Sequence, residues 1–217
     1  MENLLDEIEV RVLGSLMEKA LATPDYYPLS LNALTAACNQ KSSRHPVVSY
    51  DEQTVRQALA RLEDKGLVWE SLVGRVPKYE ERFSADRKWI ARESSVLCVL
   101  LLRGPQTAGE IRSRSARFHA FESLETVLQT LEDLSEGGYV VRLEREPGCK
   151  EPRYAHLLAG LPAAGLPGVQ AAPETDSSAP QSQNTARIEA LEQVLLCLRE
   201  ELENLKTEFE RFKKQFD

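Results

Sequence analysis

The alternation of apolar and polar positions in this chain is written twice. In Thr54–Val68 (TVRQALARLEDKGLV), Val55, Ala58, Leu59 and Leu62 fall at i, i+3, i+4 and i+7, the buried stripe of a helix. Gly66 supplies the left-handed residue that ends it, and Leu67-Val68-Trp69 opens a strand. Seventy-two positions on, Thr126–Val140 (TVLQTLEDLSEGGYV) repeats Thr, Val, Gln, Leu, Leu, Gly and Val at matching offsets. Each copy runs into a charged hairpin with a proline-basic-tyrosine step, Pro77-Lys78-Tyr79 and Pro152-Arg153-Tyr154. Helix, glycine stop, strand, loop, strand is the second half of a winged helix, and a repeat of this kind is read before any single motif.

The flanking patterns complete two such units. Leu4–Ala22 carries one stripe (Leu5, Ile8, Val12, Leu16, Ala20), with Glu7, Glu9, Arg11, Glu18 and Lys19 largely around it. Thr23-Pro24 breaks this helix, and Ser30 is placed to cap a second one, Leu31–Asn39. A polar, basic connection, Gln40–Val48, follows, and Ser49 with Glu52 has capping-box spacing at the head of the third helix. The hairpin Leu67–Phe83 closes the first unit. In the second, Ile90–Arg103 has a very apolar centre, Thr107 and Glu110 form another capping box, and Leu124–Glu136 is the third helix before the hairpin Tyr139–Leu158.

Beyond them Gly160–Asn184 is rich in Pro, Ala, Gly, Ser and Gln without periodicity, which predicts a disordered linker. Ile188, Leu191, Leu195, Leu198, Leu202, Leu205, Phe209, Phe212 and Phe216 then alternate spacings of three and four, an a/d seam. Glu201 with Lys206, Glu208 with Lys213 and Arg187 with Glu192 suit the flanks of a parallel coil. The alternative is one amphipathic helix docked on the chain's own globular part. The sequence thus predicts a mainly α protein with small β-hairpins: winged-helix (helix-turn-helix) domains at 1–85 and 86–160, a linker at 161–184 and a coiled-coil helix at 185–217.

Composition narrows the class without naming a task. At 42% hydrophobic and 28% charged residues the 217-residue chain is ordinary for a soluble protein. No apolar run is long enough to cross a membrane. The acidic start lacks a signal peptide's basic region, and the four widely spaced cysteines suit reduced thiols. A cytoplasmic location without membrane attachment is expected. Net charge is −7, and residues 1–85 hold 10 basic against 13 acidic side chains, residues 86–160 hold 11 of each, and residues 161–217 hold 6 against 10. No segment has the positive balance typical of nucleic-acid binders.

Candidate chemistry is correspondingly sparse. His45, His119 and His156 sit in three different elements, none beside a cysteine or carboxylate at ligand or triad spacing. No catalytic residue, metal or cofactor is expected. A winged helix would instead present its third helix to a DNA groove. In the first unit that helix offers Gln53, Arg56, Gln57 and Arg61, residue types that pair with base edges. Lys41, Arg44 and His45 precede it and Arg75 and Lys78 lie in the wing, where phosphates would be met. The third helix of the second unit carries Glu125, Glu132, Asp133 and Glu136, with Glu122 just before it and no Lys or Arg, a surface that would repel a duplex. Basic residues gather one helix earlier, at Arg103, Arg112, Arg114 and Arg117, as an anion or partner contact.

The strings CNQKSSRHPV (from Cys38), RGPQT (Arg103–Thr107) and REPG (Arg145–Gly148) resemble those of the bacterial YceH-like family, a set of proteins of unknown function. The resemblance runs from about Glu7 to Leu158. It implies tandem winged helices, often with a coiled-coil tail, and no assigned activity. It marks Asn39, Gln40, Lys41, Arg44, Arg103, Arg112 and Arg114 as characteristic polar positions. Two functions are then expected in competition. One is a homo-oligomeric, transcription-regulator-like protein binding duplex DNA through the first unit. The other is a non-catalytic scaffold that binds a protein partner.

Overall fold

Asp6 starts the first helix. Its carboxylate accepts from the Glu9 amide while its own amide donates to Glu9 Oε2, both at 2.8 Å, so two amides left without helical partners are satisfied reciprocally. The computed structural model describes residues 4–71, 76–145 and 151–160, all within one of the chain's two compact units, Met1–Leu166. Its first half comprises α1 (Glu7–Ala22), a 3-10 turn (Pro24–Tyr26), β1 (Leu29–Ser30), α2 (Leu31–Cys38), α3 (Glu52–Asp64), β2 (Val68–Ser71) and β3 (Lys78–Glu81). A short α4 (Phe83–Asp86) leads to α5 (Ala91–Arg103), α6 (Ala108–Ser115), α7 (Leu124–Glu136), β4 (Val140–Arg142) and β5 (Tyr154–His156). The protein is mainly helical with two small antiparallel sheets, ordered β1-β3-β2 and β4-β5. The expected linker and coiled-coil helix lie outside the described residues.

The repeat read from the sequence reappears in the hydrogen bonding. α3 and α7 begin and end 72 positions apart, and their buried faces, Val55/Ala58/Leu59/Leu62 and Val127/Thr130/Leu131/Leu134, keep that offset. Gly66 (φ 69°) and Gly138 (φ 74°) take the left-handed turn, and Leu67 N donates to Leu62 O as Tyr139 N does to Leu134 O, each at 2.9 Å. The strands agree too. Leu29 on β1 pairs with Tyr79 on β3, and in the second half Gln106 bridges Tyr154. Both tyrosines are those of the proline-basic-tyrosine steps. The halves differ between their second and third helices, where residues 39–51 span thirteen positions against eight for 116–123.

α1 departs most from expectation. Every residue from Glu9 to Glu18 is buried, including Glu9, Arg11 and Glu18, which the stripe pattern places at its margins. The reason is that α1 packs against α2, α3 and β3 and also against α5. Gly14 marks the second crossing: a Cβ there would stand 3.0 Å from both Leu101 Cβ and Leu102 Cδ2. One continuous core runs from Leu5 through α1 and α5 to Leu158. Between the halves, Phe83, Trp89 and Tyr139 meet edge to face at 4.8–5.9 Å, with Arg87 over the Phe83 ring.

Candidate functional site

α3 is held by its cap and its buried stripe, and these decide which side chains it shows to solvent. Asp51 Oδ1 accepts from the Thr54 amide at 2.7 Å. The cap is therefore Asp51 and not Ser49, because the carboxylate nearest the first turn reaches the free amides first. With Val55, Ala58, Leu59 and Leu62 inward, Gln53, Arg56, Gln57 and Ala60 lie exposed on the opposite side. Lys41 and His45 are exposed in the preceding connection and Lys78 on β3. Arg56 lies near β3: burial and Glu70 push the Tyr79 phenol up, and the Arg56 charge acts against them. Lys41, Arg56 and Lys78 pair with no carboxylate among the described residues.

Two other residues assigned to the same face, Arg44 and Arg61, do not join it. Arg44 is buried, its side chain 0% exposed, in a forked ion pair with Glu18 in which Nη1 donates to Oε1 at 2.9 Å and Nη2 to Oε2. It also donates to the Ala37 and Ser43 carbonyls and to Gln40 Oε1. Its role is to hold the long connection onto α1, and no phosphate can reach it there. Arg61 is half-exposed but turned to Asp6 Oδ2 (2.8 Å) and Glu9 Oε1 (3.1 Å), on the α1 side of α3. Arg75 lies outside the described residues.

The arginines of the second half have separate tasks. Arg112 donates to the carbonyls of Phe121 (3.4 Å) and Glu122 (2.9 Å), closing the turn before α7. Arg114 pairs with Glu110 one turn back at 3.4 Å. Arg117 reaches across to Glu18 Oε1 and stacks on Phe118. Arg103 is half-buried at the end of α5. The Arg112 and Arg114 partners differ, so the structure turns these two apart. On the second hairpin, the Arg153 side chain donates to Glu110 and to the Pro105 carbonyl.

Glu18 is the residue that sequence reasoning missed. It is 1% exposed and receives Arg44, Arg117 and, at 3.8 Å, Lys19. Burial alone would raise its carboxyl; the hydrogen bonds and charge of Arg44, with Arg117 and Lys19, bring it below the usual glutamate range. Beside it Arg11 donates to the carbonyls of Cys38 (3.2 Å) and Pro46 (2.6 Å). Nothing in the spacing of α1 advertises this, since the partners lie in connections 26 and 99 positions away. Elsewhere burial lowers His156 to about 4, so it is uncharged at neutral pH. Among the described residues no three His, Cys, Asp or Glu side chains are grouped to hold a metal, and no helix is long and apolar enough to cross a membrane.

The repeat gives α7 a direct comparison. At the positions of Gln53, Arg56, Gln57 and Ala60 it carries Glu125, Leu128, Gln129 and Glu132, all exposed. The cation and one amide have given way to a leucine and a carboxylate, so the two outward faces have opposite characters.

A family profile described as "Protein of unknown function, DUF480" matches residues 5–149. A UPF0502 protein from Solibacter usitatus is 49% identical over 214 residues, covering 98% of each chain. Another from Geobacter sulfurreducens is 46% identical over the whole of both chains, and one from Opitutus terrae is 52% identical over 79% of this chain and 76% of its own. By its profile and by these relatives, the chain belongs to the DUF480/UPF0502 family, whose description states no function.

Proposed function

We propose that residues 4–160 are two fused winged-helix units and that the first binds duplex DNA, in the manner of a transcription regulator and without catalysis. The observation that carries this reading is the outward face of α3. Gln53, Arg56 and Gln57 are exposed there, and Lys41, Arg56 and Lys78 are cations without a carboxylate partner among the described residues. Amide and guanidinium groups read base edges, and flanking lysines neutralise phosphates. The apolar seam from Ile188 to Phe216 supports self-association, which would raise the effective concentration of two weak readers.

The test is a titration of random-sequence duplex with the full chain, followed by fluorescence anisotropy between 50 and 200 mM salt. Three neutralised phosphates per chain give a slope of log K against log salt of roughly −3. A Lys41→Ala/Arg56→Ala/Lys78→Ala variant should bring both affinity and slope down together. Equal binding by the two proteins, or none by either, would refute the reading. Arg44 is left out of the variant because its loss would unfold what it holds.

A further inference from the structure

We infer that the outward face of α7, with the hollow beside it, docks a helical segment of another protein that is apolar on one side and basic on the other. Leu124 and Leu128 are 39% and 40% exposed, one helical turn apart on α7. Leu124 also forms one wall of a shallow hollow of about 500 Å³ lined by Gly109, Arg112, Ala116, Ala120 and Phe121. Scattered exposed leucines are ordinary on protein surfaces. Here one of them, Leu124, borders a mostly apolar depression between α6 and α7, and Leu128 stands one turn further along the same helix face. An apolar hollow extended by an exposed leucine one turn along can receive the apolar anchors of an amphipathic helix laid in a groove.

Charge selects the kind of helix. α7 contains no Lys or Arg, and Glu125, Glu132 and Glu136 are exposed along it, with Glu122 just before. Asp133 is engaged by Arg92 at 3.4 Å. Of the nearby cations, Arg114 is paired with Glu110, while Arg112, in the wall of the hollow, donates to the Phe121 and Glu122 carbonyls and keeps its charge. The face is therefore apolar at its centre and acidic along its length, which suits Lys or Arg flanking an apolar stripe and opposes a polyanion. The 72-residue register adds a second line. The face that shows Gln53, Arg56 and Gln57 in the first half shows Glu125, Leu128 and Gln129 here, so one surface position has two incompatible chemistries in one molecule.

The probe is a fluorescein-labelled 18-residue peptide of leucine and lysine with its leucines on one helical face, against a scrambled peptide of the same composition. The full chain should bind the amphipathic peptide at least tenfold more tightly than the scrambled one. Leu124→Ser/Leu128→Ser should erase that preference with its circular dichroism unchanged, since both side chains are already partly in water. Lys41→Ala/Arg56→Ala/Lys78→Ala should leave it intact, which separates this proposal from DNA binding. Equal affinity for the two peptides, or a preference that survives the serine substitutions, would overturn it. So would a fall in the sedimentation mass of the full chain caused by the serines, because the occupant would then be a second copy.

Discussion

Glu18→Gln should be among the most damaging conservative substitutions in this protein. The carboxylate is 1% exposed and its Arg44 partner 0% exposed, so solvent screens neither. Glutamine keeps the volume but turns one acceptor into a donor facing Arg44 or Arg117, and it leaves Arg44 with only neutral acceptors at Ala37, Ser43 and Gln40. Losing one partner of a buried pair costs about 3–5 kcal/mol. The Arg117 contact adds little, since that side chain is 47% exposed. Against a total stability of about 5–15 kcal/mol, the loss is a large fraction. Urea unfolding of the full chain, followed by far-ultraviolet circular dichroism, measures it. Glu18→Met/Arg44→Met should cost less than either single change, because it removes both buried charges together and leaves only neutral carbonyls and the half-exposed Arg117 without those partners. The sign with pH is fixed. A carboxyl held below its ordinary value stabilises the fold above the unfolded-state pKa, and that contribution is lost as pH falls through the lower folded value. Wild type and Glu18→Gln should differ fully at pH 7 and converge in the acid range below the usual glutamate pKa. A loss under about 1 kcal/mol, the scale of an exposed pair, or a gap that does not close in acid, would refute the reasoning.

Further outcomes follow from the backbone and the helix crossing. Gly14→Val should lower stability by about 1–3 kcal/mol through overpacking against α5, whereas Gly109→Ala, whose Cβ would meet only Thr107 Oγ1 at 3.9 Å, should raise it. That gain is about 0.5–1 kcal/mol, the ordinary benefit of alanine over glycine within a helix; thermal melting of both variants checks the contrast. Gly66→Ala meets open space at φ 69°, so it should cost about 1–2 kcal/mol from backbone strain alone, and Gly66→Asn should recover part of this in the same melts. Thr107→Ala removes the side chain that accepts from the Glu110 amide and should cost about 1 kcal/mol in urea.

Much of the helical layout was legible because the repeat imposes one register on two stretches. The stripe from Val55 to Leu62 and its copy from Val127 to Leu134 are local patterns, and Ser30 and Thr107 cap the helices their sequences suggest. What periodicity could not show was burial on a second side. α1 reads as one-faced because Glu9, Arg11 and Glu18 look like solvent residues, and only the packing of α5 onto its other side makes them interior. Arg44 failed for a related reason: a basic residue in a polar connection suggests phosphate, and its carboxylate lies 26 positions back on a buried helix. Leu124 and Leu128 are apolar residues off the main stripe of α7, a signal that the acidic residues around them outweigh in the sequence. A third of the candidate DNA face, Gln53, Arg56 and Gln57, follows from helix geometry alone. The assignment of Arg61 to α1 does not.

The two connections between second and third helices, one in each half, send Arg44 and Arg117 to the same carboxylate. The connections leading into α3 and α7 are thereby tied to a common post on α1, and moving the first would uncover the buried Glu18–Arg44 pair. A ligand on one face and a different ligand on the other would then be carried at a fixed spacing, as on two arms of a bracket.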